Sequence, residues 1–388
     1  MKIYDTTKKE LVNLELNHQV SIYTCGITPY DSAHLGHIFT FMTYDLLTRR
    51  LIDLGHDVKL VRNVTDVDEP IFKKAKELNI SYKELAHAET IKFQMVLQRL
   101  NFLPAYAEPL ASQYISEMAQ AVNTLLERGY AYRLEKDIYF SVNKLKSFGS
   151  FSDLNLKLQQ KFMTMRGGDT DRVGKSNPLD FLLWRGIDDP TDEAAWDEIV
   201  GHGRPGWHIE CSVMSQSILG NPFDLHGGGS DLIFPHHECE IAQSYGLGQT
   251  ELAKYWMHVS PLLYLGEKMS KSLGNLVFAG DLLEKYPPAV IRLGLMDYHY
   301  TNGGEWHPQI LDVYQCLFNR LRQLGNQIDT KSASLLLNRL RAAIDNNIDN
   351  HDLMHALDDA IKVKQSNLQN SGQEIFKNAM WLIGLDLS

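Results

Sequence analysis

Residues 20–26 read Val20-Ser21-Ile22-Tyr23-Thr24-Cys25-Gly26, and this run of β-branched and aromatic residues predicts a strand. An amphipathic stretch from about Leu35 to Leu54 predicts a helix that Gly55 ends. Val58-Lys59-Leu60-Val61 predicts the next strand. A strand, a helix and a second strand in this order are the opening of a parallel α/β sheet of the kind that binds nucleotides.

The pattern changes in the middle of the chain and again near its end. Helical patterns at about 108–129 and 152–163 flank a predicted hairpin at 131–140. The sheet pattern resumes near Gly206, with a short strand at 223–226 running into a glycine loop at 227–229 and another strand region at 255–265. Past about residue 305 the pattern is helical. We therefore expect four units, which are 1–105 (first half of the catalytic domain), 106–200 (a connective insertion), 201–304 (second half) and 305–388 (a short helical domain).

The composition excludes several classes of protein. The 388 residues are 44% hydrophobic and 22% charged, which is typical of a globular protein. The net charge of −10 argues against a surface that coats nucleic acid. We find no apolar run long enough to cross a membrane and no signal-peptide layout at the N-terminus, so we expect a cytoplasmic protein. Four cysteines without a C-x-x-C pair are more typical of ligands or core residues than of disulfides.

Two short motifs carry the chemistry. His34-Leu35-Gly36-His37 lies at the predicted start of a helix, where free N–H groups suit phosphate and Gly36 allows close approach. Lys268-Met269-Ser270-Lys271-Ser272 follows a strand and could clamp a triphosphate with its two lysines. Alone, each motif could be a solvated surface segment. Together and in this order, they resemble the paired HIGH and KMSKS motifs of class I aminoacyl-tRNA synthetases.

Longer stretches resemble the cysteinyl branch of that family. They are Tyr23–Thr28, 61–66, Gly203–Cys211, His226–Leu232 and Phe234–Glu238. The resemblance runs to about residue 305 and implies a class I synthetase-type Rossmann fold, an α/β sheet split by an insertion, with a C-terminal helical domain. It also implies an enzyme that activates L-cysteine with ATP.

Carried over residue by residue, the resemblance assigns a metal site and its surroundings. Cys25, Cys211, His236 and Glu240 would hold one Zn²⁺, which suits mixed sulfur and nitrogen ligands. Because Cys25 and Cys211 are 186 residues apart, only the fold can bring them together. His236 and Glu240 share a helix face, whereas His237 is expected on another face, as a nucleotide or outer contact. Cys239 and Cys316 are expected to be structural. A metal–thiolate bond would distinguish cysteine from serine.

The remaining site residues follow from the same resemblance. His34, His37, Lys268 and Lys271 are the expected catalytic residues, with Mg²⁺ accompanying ATP. ATP would also contact Gly36, Gly229 and Asp231. The cysteine substrate would contact Cys25 and four further residues, namely Gly26, Thr28, Thr65 and Trp207. Thr65 and Asp66 resemble the loop that holds the substrate amino group, although Asp66, Asp68 and Glu69 could equally form a solvated acidic turn.

The acceptor of the activated cysteine is the open question. Residues 311–388 carry eight lysines and arginines against nine aspartates and glutamates, a poor surface for tRNA phosphates. Stretches such as 26–31, 68–72, 166–176 and 382–387 resemble the shortened cysteine ligases of the mycothiol pathway, which use the amine of glucosaminyl-inositol. Glu240 departs from those ligases and matches the tRNA synthetases. We therefore expect a monomer acting on ATP, L-cysteine and a small amine, with tRNA as the alternative acceptor and a non-catalytic synthetase-like binding protein as a third hypothesis.

Overall fold

The computed structural model describes residues 1–30, 32–269, 273–362 and 371–387. A small antiparallel hairpin of β1 (Lys2–Asp5) and β2 (Glu10–Asn13) precedes the sheet. The predicted opening unit is confirmed as β3 (Gln19–Ile27), α1 (Leu35–Asp53) and β4 (Asp57–Val64). The two strands pair in parallel across this crossover helix.

Two helices and then the insertion follow this unit. The helices are α2 (Glu69–Leu78) and α3 (Tyr82–Arg99). The insertion contains two helices and a five-stranded sheet in the order β5-β6-β7-β9-β8. Its elements are α4 (Ile115–Glu127), β5 (Ala131–Leu134), β6 (Asp137–Phe140), α5 (Leu156–Met165), β7 (Phe181–Gly186), β8 (Trp196–Glu198) and β9 (Gly201–Pro205). The predicted hairpin is confirmed as the antiparallel pair β5 and β6.

The first helix of the insertion begins later than its sequence pattern predicts. The pattern starts near residue 108, but α4 begins at Ile115. Ala107 and Leu110 instead form parallel bridges to Val61 and Val64 of β4. Backbone pairing with the sheet therefore overrides the helical pattern of this segment.

The second half of the main sheet completes the nucleotide-binding fold. It contains α6 (Trp207–Leu219), β10 (Phe223–Gly229), α7 (Glu238–Gly246) and β11 (Ala253–Val259). The four parallel strands have the order β11-β10-β3-β4, so the first and second halves meet between β10 and β3.

The glycine run at 227–229 is part of β10, and its prediction as a loop was wrong. A Cβ on Gly227 would lie 1.7 Å from the carbonyl oxygen of Met257 on β11. Glycine therefore allows two backbones to approach where a side chain would block the pairing.

The C-terminal part is helical, as the sequence predicts. Two short strands, β12 (Leu262–Tyr264) and β13 (Glu267–Lys268), lead towards it. The remaining elements are α8 (Ala279–Leu283), α9 (Pro288–Met296), β14 (Gly304–Glu305), α10 (Ile310–Gly325), α11 (Thr330–Asp345), α12 (Asn350–Lys362) and α13 (Gln373–Leu382). Nowhere in the described ranges does a helix combine the length and apolar character needed to cross a bilayer.

Buried contacts join the C-terminal helices to the first half of the sheet. Leu336 and Leu340 of α11 belong to the same core as Leu47 of α1. Asp45 of α1 forms buried ion pairs with Arg49 at 2.8 Å and with Arg292 of α9 at 2.6 Å. Side chains this deeply buried stay ionised because each charge has an oppositely charged partner. The domain limits at residues 105, 200 and 304 remain a prediction.

Candidate active site

The two histidines of the first motif lie at the start of α1, as the sequence predicts. His34 is the N-cap residue, and its Nδ1 accepts a hydrogen bond from the Gly36 N–H at 3.1 Å. The imidazole rings of His34 and His37 stack with centroids 3.8 Å apart. Burial, His37 and Lys268 lower the pKa of His34 to about 2. Burial and Lys268 lower the pKa of His37 to about 4, against the opposing effect of Asp231. Both rings are therefore neutral near pH 7 and can donate or accept hydrogen bonds.

Asp231 lies beside these histidines and holds two cations. Its carboxylate pairs with Lys268 Nζ at 2.8 Å and with Arg166 from the insertion. The two cations keep the pKa of Asp231 well below its usual range although the side chain is partly buried. Lys271 lies outside the described residues. Arg166 was missed as a site residue because nothing in its local sequence indicates that the insertion reaches this carboxylate.

The close approach of the Asp231 side chain explains the glycine at position 229. A Cβ on Gly229 would lie 2.6 Å from Oδ1 of Asp231. Glycine at this position therefore leaves room for the carboxylate.

The four predicted metal ligands converge, although they come from separate parts of the chain. Cys25 is on β3, Cys211 on α6, His236 in the turn Ile233–His237, and Glu240 on α7. One ligand atom from each lies within 4.8 Å of the others. Cys25 Sγ is 3.8 Å from Cys211 Sγ and 3.7 Å from Glu240 Oε1, and His236 Nε2 is 3.1 Å from the same oxygen. None of these residues is more than 7% exposed.

The electrostatics of this cluster suit a cation. Burial raises the pKa of Cys211, but Cys25 and His236 lower it to about 6. Burial lowers the pKa of His236, but Cys211 and Glu240 raise it to about 10. Burial raises the pKa of Glu240, but His226 and His236 lower it to about 2. Burial, Cys211 and Glu240 raise the pKa of Cys25 well above its usual value, so these shifts describe anionic Cys211 and Glu240 beside a protonated His236. Two sulfurs, a nitrogen and an oxygen are a donor set that fits Zn²⁺.

His237 lies closer to this cluster than its expected helix face suggests. Its Nε2 is 3.2 Å from Cys25 Sγ, and its Nδ1 is 2.7 Å from Nε2 of His258. Cys25, His226, His237 and Glu240 form a second group with metal-ligand geometry that overlaps the first. The backbone of Phe234 departs from helical geometry just before these histidines, so an ideal helix does not describe them. The spacing of His237 and Glu240, i and i+3, was the available signal.

A contact with His226 orients the carboxylate of Glu240. His226 Nε2 lies 2.9 Å from Glu240 Oε2, and His226 Nδ1 lies 3.1 Å from the carbonyl oxygen of Tyr23. Partners of this kind fix the direction of a metal-binding group. One Glu240 oxygen therefore faces His236 and Cys25 while the other is held by His226.

The predicted cysteine-contacting residues surround the same cluster. Trp207 stacks on His236 with ring centroids 4.3 Å apart and an interplanar angle of 25°. The Gly26 N–H donates to Asn63 Oδ1 at 2.8 Å, and a Cβ on Gly26 would lie 1.6 Å from the Asn63 carbonyl oxygen. Asn63 Nδ2 donates to Thr65 Oγ1 at 3.1 Å. Asn63 was missed by the sequence reasoning, and it joins the ends of β3 and β4.

Two acidic residues, Asp68 and Glu210, lie near the candidate metal ligands. The Asp68 side chain caps α2 by accepting from the Glu69 N–H at 2.9 Å. Burial raises the pKa of Asp68 to about 6, which the Thr28 hydroxyl opposes. Burial, followed by Asp68, Cys211 and Asp66, raises the pKa of Glu210 well above its usual value. Glu210 was also missed, and its position between Trp207 and Cys211 was the available signal.

The sequence matches a known family over most of its length. The match is to the family described as tRNA synthetases class I (C) catalytic domain and covers residues 11–314. A protein of Thermobispora bispora named L-cysteine:1D-myo-inositol 2-amino-2-deoxy-alpha-D-glucopyranoside ligase is 39% identical over 350 residues, which is 90% of this chain and 86% of the relative. A protein of Corynebacterium diphtheriae with the same name is 37% identical over 389 residues, which is 96% of this chain and 94% of the relative.

Solved structures share the fold. Methionyl-tRNA synthetase of Mycobacterium tuberculosis, in complex with methionyl-adenylate, superposes with a TM-score of 0.63 at 17% identity. The match covers 94% of this chain and 88% of that protein. At this level of identity the likeness concerns the fold alone.

Proposed function

Since the chain belongs to the class I (C) tRNA synthetase catalytic-domain family, we propose that it is a ligase that activates L-cysteine with ATP and transfers it to the amine of an amino sugar. The observation that carries this proposal is the convergence of Cys25, Cys211, His236 and Glu240 from separate parts of the chain. The names of the relatives support an amine of the glucosaminyl-inositol type as the acceptor.

The metal cluster is proposed to recognise the thiol. Cys25, Cys211, His236 and Glu240 would hold one Zn²⁺, which when bound supplies a Lewis-acidic position for a thiolate. Serine lacks an acidic thiol, so the protein could select cysteine by binding alone. Trp207, stacked on His236, would close one side of this position. Gly26, Thr28 and Thr65 are proposed as further contacts of the cysteine substrate.

The first chemical step is proposed to be adenylate formation. The cysteine carboxylate attacks the α-phosphorus of ATP, an oxygen–phosphorus bond forms, and pyrophosphate leaves. The neutral His34 and His37 at the N-terminus of α1 would donate hydrogen bonds to the phosphate oxygens. Lys268 and Lys271 would neutralise the leaving pyrophosphate, with Mg²⁺ entering as part of the ATP substrate. Asp231, Gly36 and Gly229 would contact the nucleotide, so catalysis consists of positioning and charge stabilisation.

The second step is proposed to be transfer. The amine of the acceptor attacks the carbonyl carbon of cysteinyl-adenylate, an amide bond forms, and AMP leaves as the amine loses a proton. No covalent bond to the protein is required in either step. We propose that the protein acts as a monomer in the cytoplasm.

Two assays test the proposal. Cysteine-dependent exchange of labelled pyrophosphate into ATP should occur, with serine giving far less exchange. Exchange that is absent with zinc present would favour a non-catalytic binding protein. In the second assay, ATP and cysteine are supplied with either glucosaminyl-inositol or tRNA. Mass spectrometry should find the cysteinyl amide, and cysteinyl-tRNA without the amide would favour the tRNA ligase.

A further inference from the structure

Glu210 is a buried carboxylate beside the Thr65 hydroxyl and forms no ion pair with a basic side chain in the described part of the chain. The residue is 0% exposed, and neither of its oxygens accepts a hydrogen bond of normal geometry within the described part of the chain. None of the ion pairs found among the described residues includes it. A buried, unsatisfied carboxylate costs free energy unless a cation or donor reaches it. Such a group either takes up a proton or is stabilised by a ligand that supplies positive charge.

The helix geometry directs Glu210 towards the thiol site. Trp207, Glu210 and Cys211 occupy positions i, i+3 and i+4 in the first turns of α6, so their side chains share one face. On this face Trp207 stacks on His236, and Cys211 belongs to the metal cluster. Glu210 therefore extends the same face beside the cluster.

The surroundings of Glu210 are acidic. Asp66, Asp68 and Cys211 are near enough to raise its pKa, and the Thr65 hydroxyl is near enough to lower it. Asp66 already accepts hydrogen bonds from Ser112, at 2.8 Å from its N–H and 2.5 Å from its hydroxyl. In the ranges that the structure covers, no lysine or arginine forms an ion pair with Glu210, Asp66 or Asp68. The recess therefore holds three acidic side chains without a basic partner among the described residues, so a cationic group bound there would favour the ionised form of Glu210.

We infer that Glu210 is the counter-ion of the α-ammonium group of the cysteine substrate, with Asp66 and Asp68 adding negative potential around it. The inference rests on the proposed activation of cysteine and extends it. A cysteine whose sulfur lies at the metal cluster carries its ammonium only a few covalent bonds away, and Glu210 is the neighbour of Cys211 in the sequence. Thiols that lack a free amine, such as 3-mercaptopropionate or N-acetylcysteine, would lose this contact.

The test compares cysteine with its analogue that lacks the amine. The Michaelis constant of cysteine is measured by ATP–pyrophosphate exchange, and the inhibition constant of 3-mercaptopropionate is measured against it. In Glu210→Gln the Michaelis constant should rise about 10- to 100-fold, the range expected for one charge-assisted hydrogen bond. The inhibition constant of 3-mercaptopropionate should stay near its wild-type value. A parallel rise of both constants, or no change in either, would overturn the inference.

Two further variants separate recognition from folding. Glu238→Gln is the matched control, because Glu238 is also a buried carboxylate but already accepts hydrogen bonds from the Gly149 and Ser152 N–H groups. It should leave the ratio of the two constants unchanged. If Glu210→Gln does not fold, Asp68→Asn tests the same recess, because asparagine keeps the helix cap and removes only the charge. It should raise the cysteine constant selectively, and an unchanged ratio would refute the role of the recess. A wild-type protein without exchange would instead reject the proposed function.

Discussion

The thiol end and the nucleotide end of the site differ in how much of their geometry is fixed without substrate. At the thiol end, the four candidate metal ligands are buried and contact one another directly. At the nucleotide end, the side chains of Lys268 and Asp231 are 44% and 34% exposed and pair with each other. Ion pairs this exposed contribute roughly 0–1 kcal/mol. The thiol end is therefore preformed, whereas Lys268 can exchange its carboxylate partner for phosphate at little cost.

The largest effect is expected from a substitution at the thiol end. Cys211→Ser should abolish stoichiometric zinc binding, because a serine hydroxyl is a poor replacement for a thiolate. The loss of cysteine-dependent exchange should exceed the roughly 10- to 100-fold cost of losing an outer partner. Zinc content is checked by mass spectrometry of metals in the purified protein. The exposed Cys316→Ser is the control and should match the wild type. Unchanged zinc and cysteine constants in Cys211→Ser would contradict the assignment.

The next largest effect is expected from a substitution at the nucleotide end. Lys268→Ala should lower the rate constant of exchange by about 100- to 1,000-fold, which is the typical cost of removing one group that stabilises developing charge. Zinc content should not change, because Lys268 contacts Asp231 and not the metal cluster. The exposed Lys331→Ala serves as the control. A loss of zinc in Lys268→Ala would show that the two ends are not independent.

A smaller effect distinguishes the two overlapping groups of metal ligands. If Cys25, Cys211, His236 and Glu240 hold the metal, then His237→Gln should weaken zinc about 10- to 100-fold as an outer partner. His236→Gln should weaken it more. Competition with a chromogenic chelator measures both affinities. The reverse order would assign the metal to the group that contains His226 and His237.

The smallest effect is spectroscopic. Burial is the main cause that lowers the pKa of His34 to about 2 and of His37 to about 4. Each imidazole loses its proton as the pH rises through its lowered pKa, so both should stay neutral from about pH 6 to pH 8. Imidazole ¹⁵N chemical shifts measured over this range should therefore stay constant for these two residues. A titration step there would show that the pKa of that histidine is not lowered as described.

The sequence predicted the opening β3–α1–β4 unit, the hairpin of the insertion and the C-terminal helices, because hydrophobic periodicity is a local property. It failed where tertiary contacts override local pattern. The segment before α4 pairs with β4, and the glycines of 227–229 form part of a strand because a neighbouring backbone lies against them. Both errors concern segments whose conformation depends on a strand distant in the sequence.

The candidate site divides in the same way. The family resemblance named the candidate ligand residues and the two histidines, because the motifs that carry it are stretches of adjacent residues. Contacts between distant elements were invisible to the sequence. These contacts include the pairing of Arg166 and Lys268 with Asp231 and the approach of His237 to Cys25. The sequence also did not indicate that Glu210 would be buried without a hydrogen bond of normal geometry among the described residues. The sequence by itself determined which residue types are available and the helix faces they occupy. Only the tertiary structure decided which of them meet, because packing brings β3, α6 and α7 to one buried point.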